Sequence, residues 1–154
     1  MIANVIVFLV LAVLGGIGSS WYMVQRGSAL TTRTIGPWVT WPGAGRADTD
    51  PYTRAHYLRL GALPHPAALA QTYEARTDSS GQKLQAYCDY IVSGDDLGAV
   101  WWSIAAFTGS GQLIPNPANR FAFTSADMMR PPGGRFAVTL SRDVQPGNWL
   151  PTGG

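Results

Sequence analysis

The sequence predicts a mainly β protein fixed to a membrane. It reads as one N-terminal transmembrane helix, then a jelly-roll-like antiparallel β-sandwich that carries one short helix. Three observations predict this. From Ile2 to Val24 no side chain is charged, and the first charge is Arg26. A helix that crosses a bilayer needs about 20 mostly apolar residues. Beyond that run, short apolar or alternating stretches are separated by Gly, Pro and Asp turns about every 8–12 residues, the spacing of sandwiches and jelly rolls. Asp50-Pro51 supplies the one clear helix start outside the apolar run. The expected organisation is an anchor over residues 1–25, a tether over 26–35 and a single β-sandwich domain over 36–154.

The apolar run favours an uncleaved anchor. A secretory signal has a charged start, an apolar stretch of about 7–15 residues and a small-residue cleavage site. Here the side chains ahead of the apolar core are uncharged and the core is longer, although Gly18-Ser19-Ser20 mimics a cleavage site. Gly15 with Ser19, and Gly16 with Ser20, form small-xxx-small pairs that let a second helix approach closely. The plainer alternative is that Gly is simply common in membrane helices. Trp21 and Tyr22 fall where an interfacial aromatic belt sits. Arg26 and Arg33 follow the helix, and a positive-inside count alone would put that side in the cytoplasm.

Next come a polar stretch, Gln25 to Gly36, and a short strand around Trp38 and Trp41, followed by a loop at Pro42-Gly43 and Gly45. Asp50 is a good N-cap and Pro51 suits the first helical position. The helix is expected to reach about Leu63, to be stopped by Pro64 and Pro66, and to pack through Tyr57, Leu58 and Leu60. Residues 70–77 read as a strand, Asp78-Ser79-Ser80-Gly81 as a turn, and 84–92 as the returning strand. Ser93-Gly94-Asp95-Asp96 reads as a second turn. VWWSIAAF, residues 100–107, is the most apolar stretch outside the anchor and is expected to be a central strand. Thr108-Gly109-Ser110-Gly111 closes a hairpin into Gln112-Leu113-Ile114, and residues 121–124 form a short strand. Pro131-Pro132-Gly133-Gly134 leads into the alternating RFAVTLS, and the chain runs out through PGNWLPTGG. No internal repeat is evident.

Composition narrows the function classes. The chain carries 11 Lys and Arg against 9 Asp and Glu, for a net charge of +2. Ten of those cations are Arg and all are scattered, so charge makes no case for nucleic acid or for a basic membrane-binding patch. Cys88 is the one cysteine; it cannot form an internal disulfide and reads as a small buried hydrophobe. His56 and His65 stand nine residues apart without further ligands, so no metal site and no cofactor are expected. Ser103 follows two tryptophans and lacks the Gly-x-Ser-x-Gly elbow of a hydrolase. Glu74 is the one Glu, no carboxylate pair stands out, and no Gly-rich phosphate loop precedes a helix.

VWWSIAAF, then GQLIPNPANRFAF, then NWLP together resemble the family called domain of unknown function 1214. The shared features fall on Trp102-Ser103, Asn116-Pro117, Asn119-Arg120 and Asn148-Trp149-Leu150-Pro151. The GPW and DPYTRA segments resemble the short, membrane-anchored bacterial members. The resemblance implies a jelly-roll-like sandwich, a single-pass protein of the bacterial inner membrane and a domain on the periplasmic side, which outweighs the two-Arg orientation count. It carries no catalytic residues.

The candidate ligand site is the signature itself: Trp101, Trp102, Asn116, Asn119, Arg120, Asn148 and Trp149. Converging indole faces beside amide and guanidinium donors could hold a sugar or another small polar molecule. In the alternative, the Asn residues satisfy loop backbone, Arg120 pairs internally and the Trp rings fill the core. The leading functional expectation is a non-enzymatic accessory or structural subunit. Its partners would be lipid and other membrane subunits, met through Gly15, Gly16, Ser19 and Ser20. A carbohydrate-binding envelope domain is the second expectation, and a hydrolase or lyase using Ser103 the third.

Overall fold

The computed structural model describes residues 1–129 and 134–153, so the expected Pro131-Pro132-Gly133 turn lies outside the described residues. The chain divides into two compact units, Met1–Lys83 and Leu84–Gly154.

The first unit opens with helix α1, Ile2–Arg26, whose 25 residues include none that is buried. It is the one described helix long and apolar enough to cross a membrane. It stops at Gly27, which takes φ 74° and ψ −175°, a region essentially reserved for Gly. A β-carbon there would run into Thr32 Cγ2 and come 3.2 Å from Trp41 Cη2. Residues 28–32, read as tether, wind into a tight turn. The Ser28 carbonyl accepts from the Thr31 and Thr32 amides at 2.9 and 2.8 Å, and Thr31 is buried. Strands β1 (Arg33–Ile35), β2 (Trp38–Thr40) and β3 (Glu74–Ala75) make a small antiparallel sheet with β2 in the middle.

Helix α2, Pro51–Leu60, starts as expected. Asp50 accepts from the Thr53 amide at 2.9 Å and from its hydroxyl at 2.5 Å. It ends earlier than Pro64 would require, because Gly61 adopts the left-handed conformation at φ 63°. The Gly61 and Ala62 amides then bond back to Leu58 and Tyr57, the usual way to satisfy the last carbonyls. Its packed side differs in part from expectation: Tyr57 packs, but Thr53 and His56 are the buried residues, whereas Leu58 and Leu60 are exposed. His56 stacks on the buried Trp41 ring at 4.2 Å, with Tyr57 edge-on to both. An indole buries roughly 150–250 Å², worth about 4–6 kcal/mol before entropy is charged against it. Trp41 is therefore the main apolar anchor of this unit.

The second unit holds a three-stranded mixed sheet and a two-stranded one. In the first, β7 (Phe136–Ser141) lies between β4 (Tyr90–Gly94), antiparallel, and β8 (Trp149–Pro151), parallel. Parallel neighbours ordinarily need a crossover of a dozen or more residues. Seven suffice here because β8 overlaps only Thr139–Ser141, so the chain doubles back only about 10 Å. The second sheet pairs β5 (Ser103–Ala105) with β6 (Ala122–Thr124). Trp102, Phe123, Phe136, Val138 and Leu150 form the core, with Val92, Ile104, Ala106, Met128 and Leu140 packed around them. Trp102 and Phe136 meet at 4.7 Å.

These sheets are small and open, and no closed jelly roll forms among the described residues. The long strands expected at 70–77 and 84–92 shrink to Glu74–Ala75 and Tyr90–Gly94, and VWWSIAAF contributes only Ser103–Ala105 to a two-stranded ladder. Val100 and Trp101 are exposed, so the apolar run is not a central strand. Ser93 and Gly94 pair with Ala137 and Phe136 inside β4, so strand takes the first half of the expected 93–96 turn.

One local device occurs twice. Thr77 bridges Lys83 around an Asp78–Gly81 turn, and Phe107 bridges Leu113 around a Thr108–Gly111 turn. In each, the first turn residue exchanges bonds with a Gln four positions on, and its side-chain oxygen accepts from that Gln amide.

Candidate functional site

The signature residues are set by β8, the 114–120 loop and the segment before β5. Asn148 is 9% exposed and spends its whole amide on backbone. Its Oδ1 accepts from the Met129 amide at 2.8 Å, and its Nδ2 donates to the Met129 and Ala137 carbonyls at 2.8 and 2.9 Å. Trp149 donates Nε1–H to the Ser141 carbonyl at 3.1 Å, which ties β8 to the end of β7. Asn116 closes its own loop. Its Nδ2 reaches the Ile114 and Arg120 carbonyls, and its Oδ1 accepts from the Arg120 amide at 3.0 Å. Inside that loop Asn119 takes the left-handed conformation, φ 49°, which Asn tolerates better than most residues.

Arg120 and Trp149 are the pair that the fold brings together. The guanidinium donates to the Trp149 carbonyl at 3.0 Å and lies 6.0 Å from the Phe123 ring. Trp102 is buried in the core, and its backbone bonds both ways with Ser125. Trp101 stays exposed. Ser103 is exposed on β5, and among the described residues no base lies within hydrogen-bond reach of its hydroxyl.

The first unit holds polar features that the pattern reading passed over. His56 Nδ1 lies 2.8 Å from the Val24 carbonyl. A carbonyl only accepts, so Nδ1 carries the proton and the imidazole satisfies an orphan acceptor at the end of α1. Arg59 donates to Gln25 Oε1 at 2.6 Å, and its guanidinium lies 5.7 Å from the Trp21 ring. Burial pushes the Tyr57 hydroxyl up, and the nearby Glu74 carboxylate adds to the rise. Partial burial pushes Asp50 up as well, but the bonds from Thr53 and the neighbouring amides outweigh it and hold the carboxyl below its ordinary value.

An open cleft of about 420 Å³ lies beside the turn after α1, lined by Thr31, Thr32, Arg33, Arg46, Asp48 and Thr49 among others. Much of its charge is already committed, since Arg46 and Asp48 pair at 2.6 Å and Asp50 caps α2. The His56–Val24 and Arg59–Gln25 contacts link residues 32 and 34 positions apart. The one local signal was a His and an Arg three residues apart on a short helix.

The sequence profile of the family described as "Protein of unknown function (DUF1214)" matches residues 69–154, more than half of the chain. The chain belongs to the DUF1214 family. A crystal structure of the VPA0106 protein from Vibrio parahaemolyticus aligns with a TM-score of 0.51 at 21% identity, over 68% of this chain and 28% of that one. That likeness carries the fold alone, and this chain spans less than a third of that protein's length. No match was found among the curated proteins. Within residues 69–154, the side chains of Asn116, Arg120 and Asn148 each bond to main-chain atoms. Among the described residues no three His, Cys, Asp or Glu side chains converge as metal ligands would.

Proposed function

We propose that this chain is a single-pass, non-enzymatic accessory or structural subunit of a larger inner-membrane assembly, its folded part on the periplasmic side. The observation that carries this reading is the use of the DUF1214 polar groups. Asn116 and Asn148 spend their side-chain amides on the chain's own backbone, and Arg120 gives one guanidinium N–H to the Trp149 carbonyl, which suits a scaffold better than a site that must exchange ligands. The exposed flank of α1 adds support. A β-carbon at Gly15 or Gly16 would meet nothing within 4 Å, so a neighbouring helix has room to pack closely there. Ser19 turns its hydroxyl back onto the Gly16 carbonyl at 3.1 Å, which keeps that flank narrow.

Purification from native membranes in mild detergent tests the proposal. The expected result is co-purification with other membrane proteins at fixed stoichiometry, lost in Gly15→Leu and Ser19→Leu variants. Recovery of the wild-type chain only as a free monomer would overturn it.

A further inference from the structure

We infer that the last turn of α2 and the residues just after it, Leu58 to Leu63, lie in the interfacial layer of the bilayer that α1 crosses, with the Arg59 guanidinium at headgroup depth. This rests on reading α1 as a lasting membrane span.

The argument is one of depth. At 1.5 Å per residue, a hydrocarbon core of about 30 Å takes up about 20 residues of α1. Starting from Ile2, that length brings the chain to Trp21 and Tyr22 at the hydrocarbon boundary. Gln25 and the Val24 carbonyl then stand one turn further out, within the headgroup layer. Helix α2 is fastened at that level by His56 on Val24 and by Arg59 on Gln25. The Arg59 guanidinium, 5.7 Å from the Trp21 ring, sits at the depth of the aromatic belt. An ammonium-like charge buried in hydrocarbon would be costly, but a guanidinium among phosphates and indole is well matched.

The residues on either side of Arg59 fit the same layer. Leu58 is 74% exposed and Leu60 49%, while Leu63, just past the helix cap, is 95% exposed. Three large apolar side chains left open within six residues is a poor arrangement in water. It is the composition by which interfacial segments bury apolar surface at the acyl boundary. The bilayer is the occupant because the same helix already carries it, and no second partner is needed.

The test is site-directed nitroxide labelling of the full chain, with Cys88 replaced by Ala, in vesicles of phosphatidylethanolamine and phosphatidylglycerol. Labels at Leu58→Cys and Leu63→Cys are compared with Leu11→Cys in the middle of α1. The collision rates measured are those with oxygen and with a water-soluble nickel chelate. The expected result is a deep label at 11, and labels at 58 and 63 several-fold less accessible to nickel than a free aqueous nitroxide. A deep label at 11 with full nickel access at 58 and 63 would overturn the inference while leaving the anchor intact. Full nickel access at 11 would remove the anchor, and the inference with it.

Discussion

Replacing Asn148 tests whether the DUF1214 signature is spent on architecture. The side chain makes three bonds of 2.8–2.9 Å to Met129 and Ala137. Asn148→Ala deletes all three. At about 1 kcal/mol net per bond, and with the exposed Met129 able to recover some hydration, the loss is about 2–3 kcal/mol. That is a large share of the ~5–15 kcal/mol that holds a domain together. Asn148→Asp goes further at neutral pH. It keeps the acceptor for the Met129 amide but sets a carboxylate oxygen against two carbonyls. Those carbonyls favour the protonated acid, so the folded-state pKa of the new carboxyl is raised. Its stability is therefore fully present at low pH and is lost as pH climbs through that raised value. The assay is urea unfolding of the full chain in mild detergent, followed by tryptophan fluorescence, with a constant denaturant slope as the check on two-state behaviour. A loss below about 0.5 kcal/mol for the Ala variant, within the usual range of surface substitutions, would refute the reasoning. So would an Asp variant as stable as the parent at neutral pH.

Four further outcomes follow. Gly27→Ala should destabilise the first unit by at least about 1–3 kcal/mol from backbone conformation alone, read as an earlier urea midpoint and faster proteolysis after α1. His56→Phe keeps a ring against Trp41 but leaves the Val24 carbonyl without its donor, at about 1–3 kcal/mol in the same unfolding assay. Asp50→Ala should cost about 1 kcal/mol of α2 stability, whereas Asp50→Asn retains the cap. Because the folded-state pKa of Asp50 is depressed, the stability it adds is present above the unfolded carboxylate value and fades as pH falls through the folded one. Asp50→Asn should therefore flatten the acid limb of a stability–pH curve. Arg120→Ala, which removes an exposed bond to the Trp149 carbonyl, should cost less than Asn148→Ala in matched melts.

What the sequence disclosed depended on whether a signal was local. The length and missing charge of α1, the Asp50-Pro51 start, the Asp78–Gly81 and Thr108–Gly111 turns and the strand at 136–141 all act over a few residues, and all are present. Strand extent was not readable, because a strand exists only where a partner offers a ladder. Residues 84–89 alternate well, yet pairing starts at Tyr90, opposite Leu140. Likewise VWWSIAAF is largely apolar, but only Ser103–Ala105 forms a ladder, with β6, while Phe107 makes a single bridge to Leu113. The residues of the candidate site were visible by type and order. Their use was not, since an Asn that clamps Met129 to Ala137 and an Asn that awaits a ligand spell the same letter. The His56–Val24 bond spans 32 positions, and no periodicity reports it.

The joint between α1 and the rest of its unit has a mechanical consequence. Gly27 takes a backbone path that other residues avoid, Thr31 and Ser28 hold the turn, and His56 and Arg59 grip the helix from the side. Such a coupling is stiff and transmits torque. A neighbour that twisted the helix about its axis would swing Trp41, α2 and the small sheet around with it, as a key turns a bolt, where a slack leash would have absorbed the motion.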